Sequence, residues 1–309
     1  MNNTKSAFIA IIGRPNVGKS SIMNKILPHK IAAVSDKPQT TRTRIMGVLT
    51  KDENQLVFVD TPGFHRPKNK LGENMIKAVN QGLSDVNAAI MVVDAAPKFK
   101  FDPDNIPPAE AELIKALKIR KLPAILAINK IDLLNDKSDL LEIISGYSKY
   151  YDFSSVVPLS AKDGNGIDEL LCEAFKFSQE SVHFFESDAL TDQPERVIVS
   201  EMIREKLLRM LNKEIPHGIA VDIEQFYERD NAKGEPVLEV GAVVYCEQES
   251  HKGVVIGKGG AMLKKVGMYA RRDIEEFFGC KCSLKLWVKV KEGWRNNPST
   301  IHNLGLDLN

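Results

Sequence analysis

The segment GRPNVGKS, from Gly13 to Ser20, constrains the fold more than any other part of the sequence. It fits the pattern Gly-x-x-x-x-Gly-Lys-Ser/Thr, and it follows the apolar run FIAII and precedes a helix-like stretch. In such a unit the backbone N–H groups at the start of the helix surround a phosphate, and the lysine reaches the outer phosphates. The serine hydroxyl ligates Mg²⁺. The spacing therefore predicts a strand, a phosphate-binding loop and a helix in direct succession.

Short apolar runs alternate with longer helix-like stretches between Phe8 and Ser178. The runs are FIAIIG, LVFVD, AAIMVVD, PAILAIN and SSVVPLS. The alternating segment TRTRIMGVLT before LVFVD adds a hairpin partner, and so one antiparallel edge strand. The pattern predicts an α/β P-loop domain over residues 1–178, with a mostly parallel sheet and helices on both faces.

Three further motifs each end one of these strands, and together they indicate a guanine nucleotide. The strand-end carboxylate of Asp60, in DTPG, can hold Mg²⁺, and the N–H of Gly63 can bond the γ-phosphate. In NKID, Asp132 can accept two hydrogen bonds from guanine, whereas adenine would leave this carboxylate unpaired. The SAK segment, Ser160–Lys162, can present backbone N–H groups to the guanine O6. The carboxyl ends of parallel strands share one edge, so we expect these motifs to meet.

The composition indicates where a second function lies. The sequence has 42 Lys and Arg against 41 Asp and Glu, a net charge of +1, so any nucleic-acid site must be a local basic patch. Residues 179–196 are acidic and polar, with SDALTDQPE in the middle, and we interpret them as a linker. Residues 197–291 then predict a small α+β domain in the order helix, strand, strand, glycine loop, helix, strand. Residues 292–309 form a short polar tail.

The glycine loop of the second domain, GKGG, fits the Gly-x-x-Gly of a KH domain, which lies against about four RNA nucleotides. It follows the apolar run VVI, which we interpret as a strand, and precedes a basic helix. Val254, Val255, Ile256 and Leu263 would supply a floor for the bases. The predicted RNA-binding residues are Gly257, Lys258, Gly259, Gly260, Lys264, Lys265, Arg271 and Arg272.

Trp287 lies in the last strand, CSLKLWVKV, on the same face as its lysines. We expect it to pack against the C-terminal tail or the first helix of this domain, with stacking on a nucleic-acid base as the alternative.

The motifs resemble those of translation-factor-class GTPases, and with the second domain the chain is similar to the bacterial Era family over nearly its whole length. The resemblance implies a GTPase domain followed by a type II KH domain. It also implies the 3′ end of small-subunit (16S) ribosomal RNA and the 30S subunit as partners, with a role in assembling that subunit. It assigns the switch I threonine to Thr40 or Thr41, of which we favour Thr41 for Mg²⁺ and γ-phosphate.

Two positions bear on catalysis. Phe64 stands where Ras-like GTPases carry the glutamine that orients water, so we expect slow hydrolysis or help from another group. In GTPases resembling this one, an asparagine at the position of Asn16 holds K⁺, which stabilises charge developing on the phosphates. The alternative is that Asn16 only tolerates an unusual loop dihedral.

The expected site is then as follows. Catalysis involves Lys19, Thr41, Asp60 and Gly63; Mg²⁺ is held by Ser20, Thr41 and Asp60, and K⁺ by Asn16. The nucleotide contacts are Gly13, Asn16, Val17, Gly18, Lys19, Ser20, Ser21, Asn129, Lys130, Asp132, Ser160, Ala161 and Lys162.

Two other functions stay open. The second domain of a membrane-associated signalling GTPase would act through protein or lipid. Against this, MLKKVGMYARRDIEEFF is basic only in its first half, unlike a basic amphipathic membrane helix. A non-enzymatic RNA-binding protein would keep GTP as a structural ligand. No apolar run reaches about 18 residues and no signal peptide is recognisable, so we expect a cytoplasmic monomer, with peripheral contact at the inner face of the cell membrane as an alternative.

Overall fold

The computed structural model describes residues 4–37, 39–64, 69–95, 102, 104–134, 136–211 and 215–306. The described chain divides into two compact units. The first comprises Met1–Ile31, Thr41–Arg66 and Met75–Asp192, and the second comprises Ala32–Thr40, Pro67–Asn74 and Gln193–Asn309. Among the described residues, no helix is both long and apolar enough to cross a bilayer.

The sheet of the first unit is mostly parallel, as predicted. Its strands are β1 (Lys5–Gly13), β2 (Ile45–Lys51), β3 (Asn54–Asp60), β4 (Ala88–Asp94), β5 (Ala124–Asn129), β6 (Ser155–Leu159) and β7 (Gln179–Glu180). The order is β2-β3-β1-β4-β5-β6, with β7 paired to the start of β1. Among the strands that the structure describes in this unit, β2 and β7 pair in antiparallel fashion, and β2 is the predicted hairpin partner of β3. The predicted fold class is confirmed.

Helices cover both faces of this sheet. They are α1 (Lys19–Ile26), α2 (Lys70–Gly82), α3 (Pro108–Arg120), α4 (Lys137–Ser148) and α5 (Ile167–Phe175). Ala10 and Ile12 of β1 face a core built with residues of α2, α3 and α4. Side chains alternate along a strand, so the intervening Ile9 and Ile11 face the opposite side, where α1 and α5 pack. The near-continuous apolar runs noted in the sequence follow from this two-sided burial.

Residues 179–192, which we call the strap, are not a free linker but are bound to the rest of the first unit. The start of the strap pairs with β1, and Leu190 accepts a hydrogen bond from Val48 N–H of β2 at 2.9 Å. Thr191 bridges Gly47, and its hydroxyl donates to the Met46 carbonyl at 2.6 Å. The compact units therefore do not follow the boundaries at residues 178 and 196, because the polar strap uses the backbone groups of an edge strand.

Gln55 of β3 holds the middle of the strap. Its side chain is fully buried, and its Oε1 accepts from the N–H groups of Phe184 and Phe185 at 2.8 and 3.0 Å. Its Nε2 donates to the Phe185 carbonyl at 2.9 Å. The Phe184 ring lies 4.9 Å from that of Phe8. A single glutamine thus satisfies three backbone groups of a segment that has no regular structure of its own.

The second unit has a three-stranded sheet covered by helices. Its elements are α6 (Glu195–Met210), β8 (Ala220–Asp230), β9 (Pro236–Cys246), α7 (Glu249–Ile256), α8 (Ala261–Phe278), β10 (Lys281–Val290) and α9 (Pro298–Asn303). The order is β10-β9-β8, with β10 parallel and β8 antiparallel to β9. Val199 of α6, Val244 of β9 and Ile274 of α8 are fully buried in its core. The α+β prediction is confirmed.

The run VVI before the glycine loop is helical, so its interpretation as a strand is wrong. Val254–Ile256 is the last turn of α7. Val255 is fully buried in the core, whereas Val254 is 48% exposed. Tertiary packing of one side chain here overrides the strand preference of three β-branched residues.

The two tryptophans differ in environment. Trp294 is fully buried against Ala220, Ile301 and Leu71, and its indole N–H donates to the Gly218 carbonyl at 2.9 Å. Trp287 remains 44% exposed, so the expected burial against the tail or first helix is not what the structure shows. Trp294 is thus the residue that fixes the tail.

We predict that Gln55→Ala releases the strap. The replacement leaves the backbone groups of Phe184 and Phe185 without their partner, which costs about 1–3 kcal/mol of unfolding free energy. Chymotrypsin should then cut after these phenylalanines faster than in the wild type, and urea denaturation should report the lost stability. Gln179→Ala, which removes an exposed side chain at the start of the strap, is the control. Equal cleavage rates in all three proteins would contradict the assignment.

Candidate functional site

The phosphate-binding loop joins β1 to α1. Asn16 has a positive φ of 66° and Gly18 a φ of 104°. A Cβ at Gly18 would collide with the side-chain amide of Asn129, so this position requires glycine. The ammonium of Lys19 donates to the carbonyls of Gly13 and Arg14 at 3.2 and 3.0 Å. Burial lowers the pKa of Lys19 to about 8, and the nearby Asp60 partly opposes this shift.

Three oxygen ligands meet beside this loop. The Ser20 hydroxyl donates to Asp60 Oδ2 at 2.6 Å, and Thr41 Oγ1 lies 2.9 Å from Ser20 Oγ. Asp60 is fully buried, and its Oδ1 has no hydrogen-bond partner among the described residues. Burial raises the pKa of Asp60 to about 6, although Lys19 and the Ser20 hydroxyl oppose the rise. Hard oxygen donors with one unsatisfied carboxylate oxygen fit Mg²⁺.

The structure distinguishes the two candidate switch I threonines by position. Thr41 Oγ1 points to Ser20 and Asp60. Thr40 Oγ1 instead donates to the Lys37 carbonyl at 2.7 Å and lies 3.0 Å from Ser35 Oγ. Only Thr41 is therefore placed to act at the phosphate and metal end.

The DTPG segment lies directly against the phosphate-binding loop. A Cβ at Gly63 would come within 2.7 Å of Pro15 Cα, so no larger residue fits. The Phe64 N–H donates to the Gly13 carbonyl at 3.3 Å, and its half-buried side chain packs on the core of the first unit. The Phe64 side chain thus packs against the core, and it has no polar group that could orient water.

The base-binding motifs are tied to one another. Asn129 Nδ2 donates to the Val17 carbonyl at 2.8 Å, and its Oδ1 accepts from Ala161 N–H at 2.9 Å. Asp132 accepts from the Ser160 hydroxyl at 2.8 Å, and Lys162 lies 3.7 Å from its other oxygen. Hydrogen bonds therefore join the NKID and SAK segments to each other and to the phosphate-binding loop. The structure thus brings together the nucleotide residues that the motifs predict, and Ser21 follows Ser20 in the first turn of α1.

Sequence reasoning missed a buried network behind the loop. Glu110 of α3 is fully buried and accepts hydrogen bonds from Arg14 Nε and from the Tyr147 hydroxyl of α4. Burial raises the pKa of Glu110, while Arg14 opposes the rise. Lys130 of NKID, in turn, bonds Asp94 at 2.6 Å. Nothing in PAEAELIKAL marks Glu110 as different from any helix-face glutamate.

The second unit carries a basic groove of about 770 Å³ between α8 and β10. Gly260, Lys264, Lys265 and Arg271 line it, as expected for an RNA contact. Gly257, Gly259 and Gly260 have positive φ values of 74°, 59° and 80°, which lets the loop turn sharply before α8. Lys258 is exposed on this loop.

Two expectations about the groove differ from the structure. Its apolar floor is formed by Leu263, Leu284 and Leu286 rather than by Val254–Ile256, which end α7. Arg272 is exposed but does not line the groove. The sequence signal for the missed β10 leucines is their alternation with lysines along one strand.

Helix α6 holds the segment 32–40, which directly precedes Thr41 in the chain. The Glu205 carboxylate accepts from Val34 N–H at 3.1 Å, and Arg209 Nε donates to the Val34 carbonyl at 2.9 Å. Arg204 donates to the Thr40 carbonyl. The segment 32–40 consequently belongs to the second unit, whereas Thr41, the next residue, belongs to the first.

Comparison with known proteins agrees with both halves of the chain. A family model for a 50S ribosome-binding GTPase matches residues 8–130, and a KH domain model matches residues 214–295. GTPase Era of Clostridioides difficile strain 630 is 47% identical, with 97% of this chain and 98% of that protein covered. GTPase Era of Ruminiclostridium cellulolyticum is 46% identical, with coverage of 99% and 98%.

Two solved structures match with a TM-score of 0.90 and 32% identity, covering 99% of this chain and 100% of theirs. One is Era in complex with MgGDPNP and nucleotides 1506–1542 of 16S ribosomal RNA. The other is a variant of Aquifex aeolicus Era bound to GDP·AlF4⁻. With identity, coverage and fold in agreement along its length, the chain belongs to the Era family of GTPases.

Proposed function

We propose that this protein is a GTP-hydrolysing switch that binds the 3′ end of 16S ribosomal RNA and acts in assembly of the 30S subunit. The observation that carries the proposal is that the boundary between the two units falls between Thr40 and Thr41. Thr41 lies with Ser20 and Asp60, while the backbone just before it is held by α6 of the unit that bears the basic groove. Family relatives are named GTPase Era, and one was solved with Mg²⁺, a GTP analogue and this RNA.

In the proposed site the loop N–H groups and Lys19 hold the phosphates. Ser20, Thr41 and Asp60 would hold Mg²⁺, which neutralises charge on the phosphate oxygens when bound. Gly63 would bond the γ-phosphate and so report its loss. The Glu110 network fixes Arg14 and with it the start of the loop, so that the N–H groups are oriented before phosphate arrives.

K⁺ at Asn16 is part of the proposal. Phe64 cannot orient water, so catalysis must rely more on other contributions, and K⁺ would supply one by stabilising developing charge. The positive φ of Asn16 supports the simpler view that asparagine merely tolerates the loop geometry, and the two interpretations differ in their dependence on monovalent cations.

RNA would lie in the groove of the second unit. Its exposed lysines and Arg271 would contact the phosphates, and Leu284 and Leu286 would face the bases. Ribosomal RNA as partner also places the protein in the cytoplasm.

Coupling would run through α6. Loss of the γ-phosphate would release Thr41, and the segment 32–40 would then be free to change its hydrogen bonds with Arg204 and Glu205. Lys206, the next residue of α6, pairs with Asp273 of α8, the helix that lines the groove. By linkage, RNA would change nucleotide affinity by the same factor as nucleotide changes RNA affinity.

For base recognition, we predict that Asp132→Asn loses guanine preference. The amide cannot accept two hydrogen bonds from guanine, so GTP affinity should fall by at least about tenfold relative to that for xanthosine triphosphate, whose base offers an acceptor instead. Competition with a fluorescent nucleotide measures both affinities. Lys19→Ala, which removes the phosphate contact, should weaken both triphosphates equally. An unchanged preference in Asp132→Asn would contradict the assignment.

For the monovalent cation, we predict faster GTP hydrolysis in K⁺ than in Na⁺ at equal ionic strength, by a factor on the order of a hundred. Asn16→Gly should abolish the difference, because glycine adopts the positive φ but provides no ligand. Single-turnover phosphate release measures the rates, and GDP affinity checks that the loop is intact. A variant that keeps the K⁺ response would leave Asn16 with a conformational role only.

For the switch, we predict that wild-type protein binds a 16S 3′-end oligonucleotide about tenfold more tightly with a non-hydrolysable GTP analogue than with GDP. In Arg204→Ala this ratio should approach one, because Thr40 loses its contact with α6. Fluorescence anisotropy at fixed salt measures the affinities, with a scrambled RNA for comparison.

Arg196→Ala, an exposed arginine on the same helix, is the matched control, and thermal unfolding checks that Arg204→Ala folds. A ratio of one in the wild type would remove the coupling from the proposal. A ratio unchanged in Arg204→Ala would show that α6 does not carry it.

A further inference from the structure

The strand β10 has two functional faces, and only one lines the groove. Leu284 and Leu286 point to the groove, whereas Lys285 and Trp287 point to the opposite, outer face of the sheet. Trp287 is 44% exposed there, and Tyr227 of β8 is 53% exposed on the same face. Large aromatic side chains usually contribute buried area, and the exposed Trp287 ring lies on a strand face that also carries lysines, which suits a partner.

The sheet is shaped to hold Trp287 in place. A Cβ at Gly241 of β9 would lie 3.2 Å from the Trp287 ring and 3.0 Å from Gln225 Cβ. Glycine in the middle of this strand therefore lets the indole lie close against the sheet. The register between β8 and β9 shifts at the same level, between Ile223 and Gln225. The indole is thus a fixed surface with one open side.

The charges on this face favour a polyanion. Glu239 is bonded by Arg229 at 2.8 and 2.6 Å, and Glu224 is paired with Lys289 at 3.0 Å. These pairs offset both carboxylates, and Lys289 and Lys291 also interact electrostatically with a further carboxylate, Asp222, which is level with Trp287. Exposed Lys285 lies two residues from Trp287 on the same strand. A fixed aromatic ring beside a lysine is the arrangement on which single-stranded nucleic acids stack.

The outer face is continuous with the groove. β10 is an edge strand in the order β10-β9-β8, so only its own edge separates Leu286 from Trp287. A Gly-x-x-Gly groove contacts about four nucleotides, so an RNA longer than this must extend beyond the groove. An RNA strand that leaves the groove across the edge of β10 reaches Lys285 and Trp287 directly.

We propose that this outer face binds a further stretch of the same single-stranded RNA, with Trp287 stacking on a base and Lys285 contacting phosphate. The inference rests on the proposed RNA-binding function and extends its contact surface around the edge of the sheet. It predicts that the contribution of Trp287 depends on RNA length.

The test uses the full-length protein with the GTP analogue and two RNAs from the 16S 3′ end. The short RNA is about five nucleotides, enough for the groove, and the long one contains it and extends to about twelve. Trp287→Ala should lose about tenfold in affinity for the long RNA and nothing for the short one. Trp287→Phe should recover most of the affinity, because a phenyl ring still stacks. Lys233→Ala, at the exposed turn between β8 and β9, is the charge control for Lys285→Ala.

Tryptophan fluorescence provides a second readout, because the chain has two tryptophans and Trp294 is fully buried. Long RNA should quench the emission and protect it from acrylamide, and Trp287→Phe should lose both effects. Equal affinities of wild type and Trp287→Ala for the long RNA would overturn the inference. An equal loss for both lengths would overturn it too, since the groove would then be damaged. If the wild-type protein bound neither RNA, this result would contradict the proposed RNA-binding function itself, and the present inference, which rests on it, would be contradicted as well.

Discussion

Two buried charges of opposite sign, Lys19 and Asp60, hold the nucleotide site together. Either charge alone would be costly to bury, by several kcal/mol. They are near enough to interact electrostatically because β1 and β3 are parallel neighbours, with Ile11 in register with Asp60, and because the loop after β1 turns back through Gly18. The pKa of Lys19 is lowered to about 8 and that of Asp60 raised to about 6, so burial outweighs their attraction. Phosphate and Mg²⁺, each opposite in charge to one of them, would further favour both ionised forms.

A second cluster of buried charges lies on α6, and its members are also offset by polar partners. Arg204, Glu205 and Lys206 are consecutive and almost fully buried, which no amphipathic pattern favours. Their partners include backbone groups of segment 32–40, the carboxylates of Glu201 and Asp273, and the guanidinium of Arg209. An apolar replacement of similar volume could stabilise such a position as well. Buried charges here make directional hydrogen bonds to the backbone of segment 32–40, which an apolar contact could not specify.

The parts of the site that the sequence predicts are those encoded in consecutive residues. GRPNVGKS, DTPG, NKID and SAK each end a strand, and a parallel sheet necessarily brings the carboxyl ends of its strands to one edge. The architecture of the first unit follows from the same apolar runs. In the second unit, the glycine loop and the basic start of α8 are equally local, so the groove could be expected. The alternation of leucine and lysine in β10 indicates a buried face of that strand but does not show that the face lines the groove.

The parts that the sequence does not reveal depend on partners far apart in the chain. Glu110 reaches Arg14 across 96 residues, and Gln55 reaches Phe185 across 130. Arg204 meets Thr40 across 164. Each is a common residue in a common local pattern, and only the folded chain gives it a buried polar partner. These residues also connect segments that are distant in the sequence: α3 with the phosphate-binding loop, β3 with the strap, and α6 with segment 32–40. Local sequence thus encodes the two binding loops, while the long-range polar contacts around them are a property of the tertiary structure.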